Sequence, residues 1–129
     1  TKLNGMREAV EGKRVIMIDD SIVRGTTSDR IVRMLREAGA KEVHMRVSSP
    51  PFLYPCYFGT DVPKSDQLIA HHHTVEEIRQ IIGADSLAYL RLERLPELVE
   101  GRLPICNGCF TGKYPLAPPT EDIRGSYEQ

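Results

Sequence analysis

What this sequence lacks narrows its function before any motif is read. It has no surplus of charge of one sign: 17 Lys and Arg stand against 18 Asp and Glu, for a formal net charge of −1. Such a chain has no bulk attraction for nucleic acid or for an anionic membrane surface, so any anion site has to be local. It has no apolar run approaching the roughly 18 residues of a membrane span. The opening Thr1-Lys2-Leu3-Asn4-Gly5 has no apolar signal-peptide core, and the chain reads as soluble. Cysteine is scarce and odd in number: three residues exclude a fully paired disulfide framework within the chain. They point instead to a reducing compartment, with the cytoplasm as the default, and to thiol or metal chemistry. Two common phosphate-binding signatures, GxxxxGK[ST] and GxGxxG, are missing, and so is any internal repeat. There is no initiator Met, and the polar opening reads as a loop, as in a piece cut from a longer protein.

What is present is ordinary globular material. With 129 residues, 40% hydrophobic and 27% charged, the chain can bury one core and lies outside the disordered class. Residues 14–18, Arg-Val-Ile-Met-Ile, form a short continuous apolar run of the kind buried on both faces of a parallel sheet. From about Thr27 the period changes to helical, with Ile31, Met34, Leu35 and Ala38 on one face and Gly39 as the stop. Val43, Met45 and Val47 then alternate with polar residues, which predicts a second strand at 43–47. Strand, helix and strand make a βαβ unit with parallel strands. The loop after Asp19-Asp20 therefore falls on the carboxyl edge, where α/β sheets bind ligands. Residues 50–63 hold four prolines and Gly59 and read as an irregular connection. Thr74 and Glu77 have capping-box spacing ahead of a helix carrying Ile78, Ile81 and Ile82 and stopped by Gly83. A short strand over 86–90 and a helical turn over 95–99 follow. The expected division is 1–100 as the α/β domain and 101–129 as an irregular tail draped over it.

The stretch that carries chemistry is Val15 to Thr27. A buried strand delivers Asp19 and Asp20 to its end. Ser21, Ile22, Val23 and Arg24 lead to Gly25, which lets the backbone turn tightly, and Thr26 and Thr27 stand at a helix start. Backbone N–H groups there, with the hydroxyls of Ser21, Thr26 and Thr27, suit a phosphate dianion. Carboxylates repel a phosphate, so Asp19 and Asp20 must face another part of the same ligand, either sugar hydroxyls or a divalent cation. Arg24 is the arginine placed near the phosphate, while Arg33, Arg36 and Arg79 read as solvated helix-face charges. His71-His72-His73 point in different directions and read as exposed histidines. Cys106 and Cys109 form a CxxC, fifty residues after Cys56. Spacing alone leaves both metal or cluster ligation and ordinary thiols open.

Val15 to Thr27 resembles the phosphoribosyl pyrophosphate (PRPP) signature of type I phosphoribosyltransferases. The extended form through Ser28 is similar to that of the glutamine PRPP amidotransferases. Glu37 to Val43, Ser49-Pro50-Pro51, Tyr54-Pro55-Cys56, Gly83 to Leu87 and Cys106 to Pro115 resemble the same family, so the likeness covers almost the whole chain. It implies a partial type I phosphoribosyltransferase domain: α/β, Rossmann-like, with a parallel sheet and a cysteine-bearing tail. It implies glutamine- and PRPP-dependent synthesis of 5-phosphoribosylamine, the first committed step of purine synthesis. Asp19 and Asp20 would meet the ribose hydroxyls and Mg²⁺, and residues 21–27 would hold the 5-phosphate of PRPP or of an inhibitory purine nucleotide. One class of the family binds a [4Fe-4S] cluster, and Cys56, Cys106 and Cys109 match three of its ligands. The glutaminase domain and lid of the family have no match; Thr1-Lys2-Leu3-Asn4 resembles the end of that lid. The chain is thus expected to be a C-terminal fragment, without catalytic residues of its own, inactive alone and prone to self-association. The alternatives are another type I phosphoribosyltransferase, or a non-catalytic PRPP- or nucleotide-binding regulatory module.

Overall fold

A computed structural model describes residues 2–119, with side chains from residue 5 onward. Helix α1 (Lys2–Val10) leads into β1 (Arg14–Asp19), α2 (Thr26–Glu37) and β2 (Glu42–Val47). After a long irregular connection come a 3₁₀ turn (Ser65–Gln67), α3 (Ile69–His72), α4 (Val75–Ile82) and β3 (Ser86–Tyr89). A 3₁₀ segment (Leu92–Val99) and one last turn, α5 (Gly108–Thr111), complete the order.

The three strands form one parallel sheet in the order β1-β2-β3, with Val15 opposite Val43, Asp19 opposite Val47, and Val47 opposite Tyr89. All three carboxyl ends therefore share one edge, and the loop leaving Asp19 starts there. The sequence forms these elements for local reasons. In α2, Ser28, Val32 and Leu35 repeat at helical spacing and are buried. Helix α4 has the capping box its sequence announces: Glu77 N–H donates to Thr74 Oγ1 at 3.2 Å and Thr74 N–H donates to Glu77 Oε1 at 3.0 Å. Gly83 ends it in the left-handed conformation. Central strand β2 buries Val43, Met45 and Val47 against Val32, Leu35, Ile78 and Ile82, each worth about 1.5–3 kcal/mol for full burial.

Three expectations need correction. The opening is not a loop: Lys2–Val10 is helical, and Met6 and Val10, one turn apart, pack against the core. Strand β1 is not buried on both faces, because Ile16 and Ile18 are 67% and 75% exposed while Val15 and Met17 face the helices. Arg36 and Arg79 are not simply solvated. Arg36 donates to the Gly83 carbonyl at 2.6 Å and to Asp85 at 2.9 Å, and Arg79 donates to Ala84 O and pairs with Glu76. Both thereby fasten the α4–β3 turn; Arg33 pairs with Asp29 one turn away. Among the three histidines, all exposed, His71 Nδ1 meets the Leu53 carbonyl at 2.6 Å and so ties the irregular connection to α3.

The tail does pack on the domain. Leu53 and Tyr54 N–H both donate to the Cys109 carbonyl at 3.0 Å, Tyr114 Oη donates to Pro55 O at 2.8 Å, and Phe110 stacks on Phe52. The part of the proposed 101–129 division beyond Pro119, like Thr1, lies outside the described residues. Among those described, no helix is long and apolar enough to cross a membrane.

Candidate functional site at the carboxyl edge of the sheet

The β1–α2 loop closes over a pocket of about 410 Å³ lined by Asp19 through Ser28 together with Asp61 and Pro63. Every residue that the sequence singled out for ligand binding lines this one pocket. The turn depends on Gly25, which sits at φ +84° as the N-cap of α2. A Cβ there would lie 2.8 Å from Ile69 Cδ1, so both backbone conformation and space select glycine. The neighbouring threonines do not cap the helix: no side chain bonds to its first turn. The amides of Thr26, Thr27 and Ser28 consequently remain as donors at the positive end of the helix dipole. The loop is pinned from below, where Ile69 N–H donates to the Val23 carbonyl at 2.9 Å.

The acidic pair is organised before any ligand arrives. Asp20 N–H donates to Asp19 Oδ1 at 2.8 Å, and Ser21 Oγ to Asp20 Oδ1 at 3.4 Å. Burial pushes the Asp19 carboxyl above its ordinary range, with the Asp20 N–H bond acting in the opposite sense. Arg24 lines the pocket, but its guanidinium donates to Gln67 Oε1 at 2.6 Å. Ile22 is 2% exposed and belongs to the core, so it can serve a ligand only through its backbone. Asp61 and Pro63 escaped the sequence reading, because nothing in a proline-rich connection signals that it folds back over a loop forty residues earlier.

The CxxC turn lies on the loop that carries Cys56. The Cys109 thiol is pushed up to about 11 by burial and, secondarily, by the charges of Cys56 and Cys106, and no disulfide joins the three cysteines. Among the described residues, no three His, Cys, Asp or Glu side chains are grouped so as to hold a metal ion.

No family model matches the chain. It is 57% identical over 124 residues to an amidophosphoribosyltransferase of Archaeoglobus fulgidus, covering 94% of this chain and 27% of that protein. It is also 57% identical to the chloroplastic amidophosphoribosyltransferase 2 of Arabidopsis thaliana, covering 94% of this chain and 22% of that one. A solved glutamine PRPP amidotransferase from B. subtilis, complexed with ADP and GMP, superposes with a TM-score of 0.81 at 54% identity, over 89% of this chain and 26% of that chain. The chain thus spans about a quarter of the length of these relatives. Sheet, helix and loop all agree with a partial phosphoribosyltransferase fold, and over the stretch it spans the chain belongs to the amidophosphoribosyltransferase family.

Proposed function

We propose that this chain is the ribose-phosphate-binding part of an enzyme that makes 5-phosphoribosylamine from PRPP and glutamine. The observation that carries the reading is the single pocket in which an uncapped helix N-terminus and a preorganised pair of carboxylates stand side by side. The amides of residues 26–28 and the hydroxyls of Ser21, Thr26 and Thr27 hold the 5-phosphate. Asp19 and Asp20 accept hydrogen bonds from the ribose hydroxyls. The same two carboxylates are hard oxygen donors of the kind that hold Mg²⁺ together with substrate phosphates. Mg²⁺ there would neutralise the departing pyrophosphate. The chain's own contribution is positioning: it fixes the ribose while positive charge builds at C1. Glutamine hydrolysis and the grip on pyrophosphate are assigned to parts of the relatives that this chain does not span. A purine nucleotide shares the ribose 5-phosphate and would occupy the same pocket as an inhibitor.

Cys56, Cys106 and Cys109 supply three of the four thiolates that a [4Fe-4S] cluster takes. What supports a structural cluster tying the tail to the domain is that the Cys109 turn bonds to the loop carrying Cys56 and that Cys56 and Cys106 both act on the Cys109 thiol. Among the described residues the three are not grouped as a finished metal site, so such a cluster would draw them together with a fourth ligand from elsewhere. Three cysteines, an odd number, fit a reducing compartment such as the cytoplasm, and the bare sheet face around Ile16 and Ile18 supports association of copies. The test of the central reading is replacement of Asp19 or Asp20 by Ala in the full-length enzyme. PRPP turnover is expected to vanish while glutamine hydrolysis and folding persist. Unchanged PRPP kinetics in both variants would overturn it.

A further inference from the structure

The ligand loop does not hold its own shape. Between the end of β1 at Asp19 and the start of α2 at Thr26 it contains no helix or strand, and Gly25 gives its backbone extra freedom as well as the turn. What fixes it lies outside it, in the short segment that runs from the 3₁₀ turn Ser65–Gln67 into α3. Three contacts reach from that segment to three successive loop residues. The Ile69 N–H donates to the Val23 carbonyl at 2.9 Å. The Arg24 guanidinium donates to Gln67 Oε1 at 2.6 Å. Ile69 Cδ1 lies against Gly25, 2.8 Å from where a Cβ would stand. The segment is itself well seated: Leu68, between Gln67 and Ile69, is 0% exposed, and the Gln67 N–H donates to the Lys64 carbonyl at 2.9 Å.

The middle contact is a side-chain tie, and its direction decides what Arg24 does. Arg24 lines the ligand pocket and also a second cavity of about 310 Å³, whereas Gln67 lines the second cavity and not the ligand pocket. The bonded end of Arg24 therefore belongs to the second cavity, and its stem crosses the loop like a staple. We infer that Gln67 is a positioning residue for this loop: by holding Arg24 it keeps the backbone of residues 23–25 in the conformation that presents the helix amides to an anion. The inference rests on the ribose-phosphate reading. It adds to it a residue 43 positions downstream of Arg24, and gives Arg24 a role through loop shape rather than through charge.

Releasing Arg24 separates these two roles. Gln67→Ala unties the guanidinium and leaves its charge in place. A cation acting on the phosphate by charge alone would then bind as before or more tightly, whereas loss of the tie weakens ribose 5-phosphate binding about three- to tenfold, the worth of one hydrogen bond. The experiment is an NMR titration of this chain and its variants with ribose 5-phosphate at fixed ionic strength, with thermal melts alongside. Arg24→Ala is expected to weaken binding by the same factor as Gln67→Ala, and the double variant no further, because the two residues act as one unit. Gln67→Glu keeps the acceptor and should rescue binding to within about twofold of wild type. Arg24 and Gln67 are both exposed, so every variant should melt close to wild type, which a contact serving stability alone would not combine with lost affinity. Unchanged or tighter binding by Gln67→Ala, or additive losses in the double variant, overturns the role of Gln67. Failure of the wild-type chain to bind ribose 5-phosphate at all overturns the underlying reading instead.

Discussion

Replacing Gly25 by Ala tests the geometry on which the ligand loop rests, because two separate costs can be worked out and then pulled apart. The first is conformational: φ of +84° lies in the left-handed region, where an L side chain costs about 1–2 kcal/mol. The second is steric. The new methyl would lie 2.8 Å from Ile69 Cδ1, inside contact distance. Ile69 belongs to the core cluster and is only 8% exposed, so its terminal methyl has little room to retreat. An overpacked core typically costs about 1–3 kcal/mol, and a side-chain end belongs at the lower end of that range. The sum is about 2–4 kcal/mol, a large part of the roughly 5–15 kcal/mol that holds a domain together. Ile69→Val removes the offending Cδ1 and alone should cost about 0.5–1.5 kcal/mol. The double variant should therefore be less unstable than the sum of the singles by about 1 kcal/mol, the clash term, with the backbone term remaining. Urea unfolding reads all three from shifts in midpoint at constant slope. A Gly25→Ala variant within about 0.5 kcal/mol of wild type would refute the conformational argument. Strict additivity in the double variant would refute the contact with Ile69.

The Tyr89 hydroxyl is buried without a hydrogen-bond partner, and burial pushes its pKa to about 12; Tyr89→Phe should be neutral or stabilising by up to about 1 kcal/mol in thermal melts. A clear loss of stability would mean that the hydroxyl is satisfied by ordered water. The Val43 N–H, and then Arg36, hold the Asp85 carboxyl below its usual range. A depressed pKa stabilises the fold above the unfolded value of about 3.9 and is lost as pH falls through the folded one. Asp85→Asn should therefore narrow its gap to wild type below about pH 4, by no more than about 1 kcal/mol given the exposure of the pair; a gap independent of pH would sink the assignment. Iron and sulfide bound by the anaerobically purified full-length protein should be lost on Cys106→Ser, whereas iron-free, fully active protein would contradict the cluster.

The parallel βαβ unit was legible because its two signals are local and strong. A continuous apolar run ends at Asp19-Asp20, and a helical stripe begins near Thr27, and the structure moves these borders by a single residue. Helix α1 was not legible. Nine residues with Gly5 inside cannot form a helix on their own account, and this one is held by Met6 and Val10 against a core the local sequence does not describe. The run Arg-Val-Ile-Met-Ile says that a strand is apolar on both faces, not which of them this chain covers, so the exposure of Ile16 and Ile18 was invisible. Arg36 was read as solvated because its acceptor, the Gly83 carbonyl, is 47 residues away. At the site, the contiguous residues 19–27 could be assembled from one motif, whereas Asp61 reaches the same pocket only through the path of an irregular connection. Periodicity carries no information about such a path.

The most direct test of the central claim is a titration of the isotopically labelled chain with ribose 5-phosphate, following backbone amides by NMR. The account predicts saturable shifts concentrated on residues 20–28, largest at Thr26, Thr27 and Ser28, and abolished by Gly25→Ala. Binding with the shifts centred elsewhere, or no shift in residues 20–28 at millimolar ligand, would contradict it.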